Sequence, residues 1–300
     1  MSVNEIFIEN IKRNIFFRAQ DIIKNYSTFL WHDYASEQNS SQVIAIDIWG
    51  CIVLSPYKDE IINSIFNECE ENWEIEFEFR DRDNILNEGY NPKNLYDART
   101  SIDVVLYCRD KVKFIESKFS ENYFDICYYS KNYCNGNYEI EEYFKNQKKS
   151  GIYKCPFEGK KIRYWDFIPQ IYNLPYDSNG NLMPCPFKFQ YQIMRNLCLG
   201  KAIEKTSNKK ISNYLMYINS PKCKMYDRIN NQNYGDKLSK YLINKTRLSI
   251  SHYNGILNNE IGVINKAKNV VQNDSNELKI FDDLEKWINR KIDELPNLQD

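Results

Sequence analysis

Three residues near the middle of the chain, Asp103, Glu116 and Lys118, have the types and spacing that hydrolytic chemistry requires. Glu116 and Lys118 lie two positions apart in the segment KFIESKFSE, residues 113–121, so in a β-strand their side chains point to the same face. Large apolar residues alternate on both faces of this segment, which predicts a strand that is covered on both sides. A glutamate and a lysine inside such a strand need a specific role.

A short turn between two predicted strands, 101–108 and 112–119, would bring the two acidic residues together. A two-residue loop places Asp103 directly opposite Glu116, with Cβ atoms about 4.5–5.5 Å apart. A three-residue loop places Asp103 opposite Ser117 and diagonal to Glu116. The sequence leaves both alternatives open, and in each of them an aspartate and a glutamate lie close together inside an apolar hairpin.

Two carboxylates at that distance repel each other unless one is protonated or a cation lies between them. Lys118 on the Glu116 side would relieve part of the repulsion, and a divalent metal would relieve more. Mg²⁺ suits such a site, because it commonly takes one or two carboxylates and keeps waters for substrate phosphates. The alternative interpretation is that Glu116 and Lys118 pair across a solvent-exposed face of the sheet.

Composition excludes several classes of protein. The 300 residues carry a net charge of −1 and only two histidines, too few for a histidine-rich zinc hydrolase. None of the ten glycines forms a phosphate-binding loop, so we expect no nucleotide cofactor. No apolar run is long enough for a membrane helix and no signal peptide is recognisable, so we expect no membrane association. The nine cysteines then indicate reduced thiols in the cytoplasm.

Hydrophobic periodicity predicts the elements around the hairpin. Helical character extends over 3–30 and over the C-terminal segment ELKIFDDLEKWINRKIDEL. Between them we predict a helix, a strand, the two hairpin strands, a second helix and a last core strand, respectively at 41–51, 73–79, 101–108, 112–119, 191–205 and 211–219.

The order of these elements, with Asp103 followed after thirteen residues by Glu116-Ser117-Lys118, resembles the PD-(D/E)XK nuclease superfamily. The segments NSSQVIAIDIWG, EFEFR, IESKFSE, RYWDFIPQ and YQIMRN further resemble a bacterial group of restriction endonucleases in that superfamily. The proline of the superfamily name is absent, since Ile102 precedes Asp103.

The resemblance covers roughly residues 38–220 and implies an α/β fold. The core would be restriction-endonuclease-like, α-β-β-β-α-β, with a mixed sheet flanked by helices. We therefore expect an N-terminal helical region over 1–37, a nuclease core over 38–220 that includes a Cys/Tyr-rich insertion at 122–189, and a helical C-terminal extension over 221–300.

The resemblance also implies a site. Asp103 and Glu116 would bind Mg²⁺ or Mn²⁺ together with the backbone carbonyl of Ser117. Lys118 would orient or deprotonate the attacking water, or stabilise the charge that develops on the phosphorus. Superfamily members often add an acid from the first helix, and at that place we expect Gln42 as a polar residue lining the site, with Glu37 and Asp47 as neighbouring acids.

Two strand-end acids, Glu78 and Glu121, are candidates for a second metal site. The alternating glutamates of 73–79 are nevertheless more typical of a solvated strand face. His32 and His252 are interpreted as structural histidines, and Arg195 either as a surface or capping residue or, with Gln170 and Gln192, as part of a phosphate path.

A nucleic-acid surface on a chain of near-zero net charge must be local. Residues 143–163 carry seven basic residues against one glutamate, with aromatic residues between them. The candidate nucleic-acid-binding residues are Lys148, Lys149, Lys160, Lys161 and Arg163. The insertion also contains four cysteines, for which a metal site is an alternative to buried thiols: Cys127, Cys134, Cys155 and Cys185.

The sequence thus predicts a Mg²⁺-dependent endonuclease that hydrolyses DNA in a single step, in defence against foreign DNA. The alternatives are a non-catalytic nucleic-acid-binding subunit and a nuclease acting on single-stranded DNA or RNA. Cleavage of both DNA strands with one active site per chain suggests a homodimer, by analogy with the fold alone.

Overall fold

The computed structural model describes residues 3–23, 29–91, 96–97, 99–121, 127, 157, 160–172, 187–230 and 242–296. The helices of these ranges are α1 (Val3–Asn14), α2 (Ser41–Val53), α3 (Lys58–Phe66), α4 (Tyr164–Ile171), α5 (Phe187–Thr206), α6 (Lys224–Asn230), α7 (Val263–Val270) and α8 (Ser275–Asp293). The strands are β1 (Glu74–Arg80), β2 (Tyr90–Asn91), β3 (Tyr96–Asp97), β4 (Ser101–Cys108), β5 (Lys111–Lys118), β6 (Lys210–Tyr217), β7 (Leu248–His252), β8 (Ile256–Leu257) and β9 (Glu260–Ile261).

The main sheet is mixed and has the strand order β1-β4-β5-β6-β7. The pairs β1/β4 and β4/β5 are antiparallel, whereas β5/β6 and β6/β7 are parallel. The connection from β5 to β6 contains α4 and α5, as a parallel crossover requires. The predicted α/β class, with a mixed sheet flanked by helices, is therefore confirmed.

The β4–β5 hairpin has the two-residue loop, because Cys108 pairs with Lys111. Arg109, the first loop residue, has a φ of +51°, as tight two-residue hairpin turns require. The register continues to Val104 opposite Ile115, so the next position along each strand sets Asp103 opposite Glu116. Of the two registers that the sequence left open, this is the first.

Helix α2 lies at the centre of the fold. Its N-terminus is capped by Ser40, whose side chain accepts a hydrogen bond from the Val43 backbone amide. The helix is buried from Gln42 to Ile52, since one side packs on the sheet and the other on α1 and the 3-10 helix Phe17–Ile22. A Cβ at Gly50 would lie 2.9 Å from the Cβ of Ala19, so only glycine permits this close approach.

The opposite face of the sheet is covered by α4 and α5. Phe114 of β5 packs there against Phe167 of α4 and Leu197 of α5 in one apolar cluster. Because side chains alternate along a strand, Glu116 and Lys118 share this face with Phe114. The elements that position the candidate site are therefore the β4–β5 hairpin and helix α5.

Most predicted elements agree with the structure to within a few residues, but two predictions are wrong. Helical character over 3–30 breaks after Asn14, where α1 ends and the chain turns into the short 3-10 helix. The strand at 211–219 is not the last core strand, because β7 pairs with β6 in parallel. The C-terminal segment is helical in α7 and α8 and also supplies this edge strand.

The residue after β7 ties the end of the chain to the sheet. Tyr253 is fully buried, and its backbone amide donates to the carbonyl of Tyr217 in β6. Its hydroxyl accepts a hydrogen bond from the indole of Trp49 at 3.4 Å and also bonds the Ser117 side chain. In the described part of the chain, no helix is long and apolar enough to cross a membrane.

Candidate active site

The hairpin strands part where the candidate residues lie. The described β4–β5 pairs end at Val104 opposite Ile115, and beyond them the backbone amide of Ser117 donates to Oδ2 of Asp103 at 2.7 Å. A side chain thus replaces the strand partner at this position. The N–H and C=O of a strand residue point to the same side, so the carbonyl of Ser117 faces the same gap.

Glu116 is held at both carboxylate oxygens. Its Oε1 lies 2.8 Å from Nζ of Lys118, and its Oε2 accepts a 2.8 Å hydrogen bond from Nδ2 of Asn196 in α5. Nζ of Lys118 also donates to Oε1 of Gln192, again at 2.8 Å. The side chains of Glu116 and Lys118 are only 2% and 4% exposed, so the alternative of a solvent-exposed pair is wrong.

The electrostatics of the pair follow from its burial. Burial and the charges of Glu116 and Glu78 raise the pKa of Asp103 well above its ordinary value. Burial alone would lower the pKa of Lys118, but the charges of Glu116, Glu121 and Asp103 outweigh it and hold that pKa above its ordinary value. Lys118 is therefore a buried ammonium among carboxylates.

A third carboxylate, that of Glu78, belongs to the same cluster. Glu78 has a φ of +51° within β1, a conformation that side chains rarely adopt, and its register position in β1 is the one facing Asp103. Its carboxylate is 3% exposed, accepts a 3.0 Å hydrogen bond from Ser101 Oγ, and lies 3.3 Å from Nε2 of His32. The prediction that the strand glutamates form a solvated face is confirmed for Glu74, which is exposed, and wrong for Glu78, which is buried.

Gln42 is buried in the first turn of α2, and its side-chain amide forms hydrogen bonds with the backbone of the segment that precedes the helix. Its Nε2 donates to the carbonyl of Leu30 at 2.7 Å, and its Oε1 accepts from the backbone amide of His32 at 2.9 Å. Gln42 thus fixes the segment that carries His32. A direct part for Gln42 in catalysis stays a prediction.

The donor set at the hairpin suits a hard divalent cation. Asp103 and Glu116 are both buried, and a cation between them would remove the charge repulsion that adds to burial in raising the pKa of Asp103. Oδ1 of Asn196 is buried beside Glu116 and has no hydrogen-bond partner among the described residues. Within the same ranges, no group of three or more His, Cys, Asp or Glu side chains is arranged to hold a metal. The residues therefore fit a cation held by two carboxylates and backbone or solvent oxygens, as Mg²⁺ commonly is.

One comparison identifies the family. A family model described as "Restriction Endonuclease associating with ARP" matches residues 1–247. The chain belongs to this restriction endonuclease family. No curated protein and no solved structure matches it significantly. The mixed sheet flanked by helices is consistent with the restriction-endonuclease-like fold, so the resemblance seen in the sequence is confirmed at the level of family and fold.

A second polar network in this member of the family is centred on Glu88 and includes Thr100, which directly precedes strand β4. Glu88 is buried and accepts hydrogen bonds from Thr100, Tyr164 and Arg195. The Arg195 guanidinium also lies over the Tyr191 ring, 5.2 Å from its centroid. Arg195 is thus neither a surface nor a capping residue, and its charge is committed to Glu88.

Three of the basic candidates, Lys160, Lys161 and Arg163, lie immediately before α4. Lys160 and Lys161 are exposed, and Lys148 and Lys149 lie outside the described residues. The Arg163 side chain bonds Asp166 at 2.8 Å and is half exposed. Among the cysteines of the insertion, Cys127 is a buried free thiol, and Cys134, Cys155 and Cys185 lie outside the described residues.

Sequence reasoning missed the part that His32 and Asn196 have in this site. Asn196 could have been found, because it lies four residues after Gln192 on the same face of a helix, next to the strand that carries Lys118. His32 carries no such signal, since its contact with Glu78 depends on how the segment before α2 folds onto the end of β1.

Proposed function

We propose that the chain is a metal-dependent endonuclease that hydrolyses DNA phosphodiester bonds. The observation that carries the proposal is the buried ammonium of Lys118, held between Glu116 and Gln192 beside Asp103 in a member of a restriction endonuclease family. A buried lysine among carboxylates contributes little to stability, because the cost of removing the charges from water offsets their attraction. A catalytic role explains why the fold retains it.

In this mechanism Asp103, Glu116 and the carbonyl of Ser117 would hold Mg²⁺ or Mn²⁺. The metal would polarise the phosphate and lower the pKa of the attacking water. Lys118 Nζ orients that water and stabilises the negative charge that develops in the transition state. Asn196 and Gln192 of α5 fix the orientations of Glu116 and Lys118, so that little reorganisation is needed when substrate binds.

The test is cleavage of a supercoiled plasmid with Mg²⁺, with Mn²⁺ and with EDTA. We expect metal-dependent cleavage that Glu116→Ala and Lys118→Ala each reduce by about 10²-fold or more. The matched control is Lys113→Ala, which removes another buried lysine of β5 whose partner is Glu68, at 2.7 Å, and not a residue of the site. Full activity in Glu116→Ala would contradict the assignment.

A second candidate is a non-catalytic DNA-binding subunit, and the family description favours keeping it because it names an association with ARP. A partner of that designation would then supply or control the cleavage. Parallel assays with duplex DNA, single-stranded DNA and RNA separate the substrates. Binding without cleavage of all three would favour the subunit, and cleavage of only the single strands would favour a single-strand nuclease.

A further inference from the structure

His32 lies at the solvent-facing side of the carboxylate cluster. Its side chain is 44% exposed, whereas that of its partner Glu78 is 3% exposed. Nε2 of His32 is 3.3 Å from Oε2 of Glu78. The imidazole thus has one nitrogen directed at a buried carboxylate while the ring remains open to solvent.

The backbone around His32 is fixed from two helices. Gln42 of α2 holds both Leu30 and His32, as described above. Asn14 at the end of α1 donates to the carbonyls of Ala35 and Glu37, at 3.3 and 2.5 Å. Because both ends of the segment are anchored, the imidazole is held in position before any substrate arrives.

The backbone of Glu78 is held in a strained conformation. A positive φ is unfavourable for any residue other than glycine and persists where the surrounding structure imposes it, and such residues concentrate at functional sites. Here the strain turns the carboxylate inward, toward Asp103 and His32. A glutamate that only capped the end of a strand would not need this conformation.

The two basic residues of the cluster, Lys118 and His32, differ in their access to solvent. Lys118 is buried, and its ammonium bonds Glu116 and Gln192. The hydrogen bond to Glu78 raises the pKa of His32 to about 9 against the opposing effect of burial, and the charges of Asp103 and Glu116 contribute. With 44% of its side chain exposed, against 4% for Lys118, His32 is therefore the basic residue of the cluster that an incoming phosphate can reach.

We propose that His32 contacts the substrate, donating a hydrogen bond to a non-bridging oxygen of the phosphodiester that enters the carboxylate cluster, with Glu78 holding the ring. This inference rests on the proposed nuclease function and adds a substrate-binding residue to it. A charged donor at this position offsets the repulsion between a phosphate and the buried acids. Phosphate binding by His32 also explains why the His32–Glu78 pair is present, which the burial of Glu78 alone does not.

The experiment measures single-turnover cleavage of a short DNA duplex with Mg²⁺ by the wild type and by His32→Gln. We expect the rate of His32→Gln to fall about 10- to 100-fold, the effect of losing one hydrogen bond from a charged donor. Tyr34→Phe is the control, because Tyr34 lies in the same segment and is 70% exposed. Circular dichroism melting of each variant checks that it folds.

A double variant separates substrate binding from a structural role. If His32 only neutralises Glu78, then His32→Gln combined with Glu78→Gln restores the rate to the wild-type level, because two amides can pair without charge. If His32 binds the phosphate, the double variant stays as slow as His32→Gln. A rate unchanged in His32→Gln, or restored in the double variant, would overturn the inference and leave the nuclease function standing. A wild-type protein that cuts no duplex, single strand or RNA would overturn both.

Discussion

Replacing Asp103 by asparagine should make the metal-free protein more stable. Asp103 and Glu116 lie one position beyond the last pair of the hairpin, and the charge of Glu116 adds to burial in raising the pKa of Asp103. Two unit charges about 5 Å apart repel by about 3 kcal/mol at an effective dielectric constant of about 20. Lys118 and His32 offset part of this repulsion, so we expect a net gain of about 1–2 kcal/mol from Asp103→Asn. The amide oxygen still accepts the hydrogen bond from Ser117.

The assay is thermal unfolding in EDTA near pH 8, where the gain corresponds to a rise in melting temperature of roughly 2–6 °C. The pKa of Asp103 is raised in the fold, so the stability linked to its proton is fully present below the ordinary pKa of an aspartate and is lost as the pH rises through the folded value. The advantage of Asp103→Asn should therefore be smaller near pH 5 than near pH 8. Mg²⁺ should raise the melting temperature of the wild type more than that of the variant.

Asp47→Asn is the matched control. Asp47 is also a buried aspartate with a raised pKa, caused by burial, but its Oδ2 lies 3.4 Å from Nζ of Lys291 and accepts a hydrogen bond from the Trp287 indole. The same substitution there leaves a buried lysine without its counter-charge, which costs about 3 kcal/mol or more. The two variants should shift the melting temperature in opposite directions. A melting temperature of Asp103→Asn at or below that of the wild type in EDTA would refute the account of the cluster.

The remaining predictions concern titration and binding. The two imidazoles should titrate apart by NMR, with His32 near pH 9 because of its hydrogen bond to Glu78 and His252 below its ordinary pKa because of burial; two coincident titrations would contradict this. Neutralising Lys160 and Lys161 together by glutamine should weaken binding of a DNA duplex in EDTA and reduce the slope of log K against log salt by about 1.8, since each phosphate contact contributes about 0.9. The control is Lys279→Gln, which removes an exposed lysine that pairs with Asp283 of α8. An equal change in slope for this control would contradict the assignment of Lys160 and Lys161 to DNA binding.

The hairpin could be predicted from local sequence patterns alone. The alternation in 101–108 and 112–119 predicts the strands, and the short turn limits the register to two alternatives. The reason is that strand periodicity and turn length are properties of neighbouring residues. The Asp103–Glu116 juxtaposition could therefore be predicted before any tertiary contact was known.

The features that the sequence did not predict depend on long-range packing. Glu78 follows the same alternation as Glu74 and Glu76, and only its positive φ and its contact with His32 separate it from them. Arg195 is paired and partly buried because Glu88, far away along the chain, meets it in the fold. No periodicity in either segment contains that information.

The position of β7 decides how much of the chain is needed for a folded protein. The family match ends at residue 247, immediately before the strand Leu248–His252 that pairs with β6. A chain truncated there would expose the backbone of β6 as an unpaired edge, which invites association between molecules. It would also lose Tyr253, whose hydroxyl bonds Trp49 and Ser117 at the back of the hairpin. The smallest fragment that we expect to fold without exposing an unpaired edge at β6 therefore extends beyond the matched segment, through β7 and Tyr253 at least.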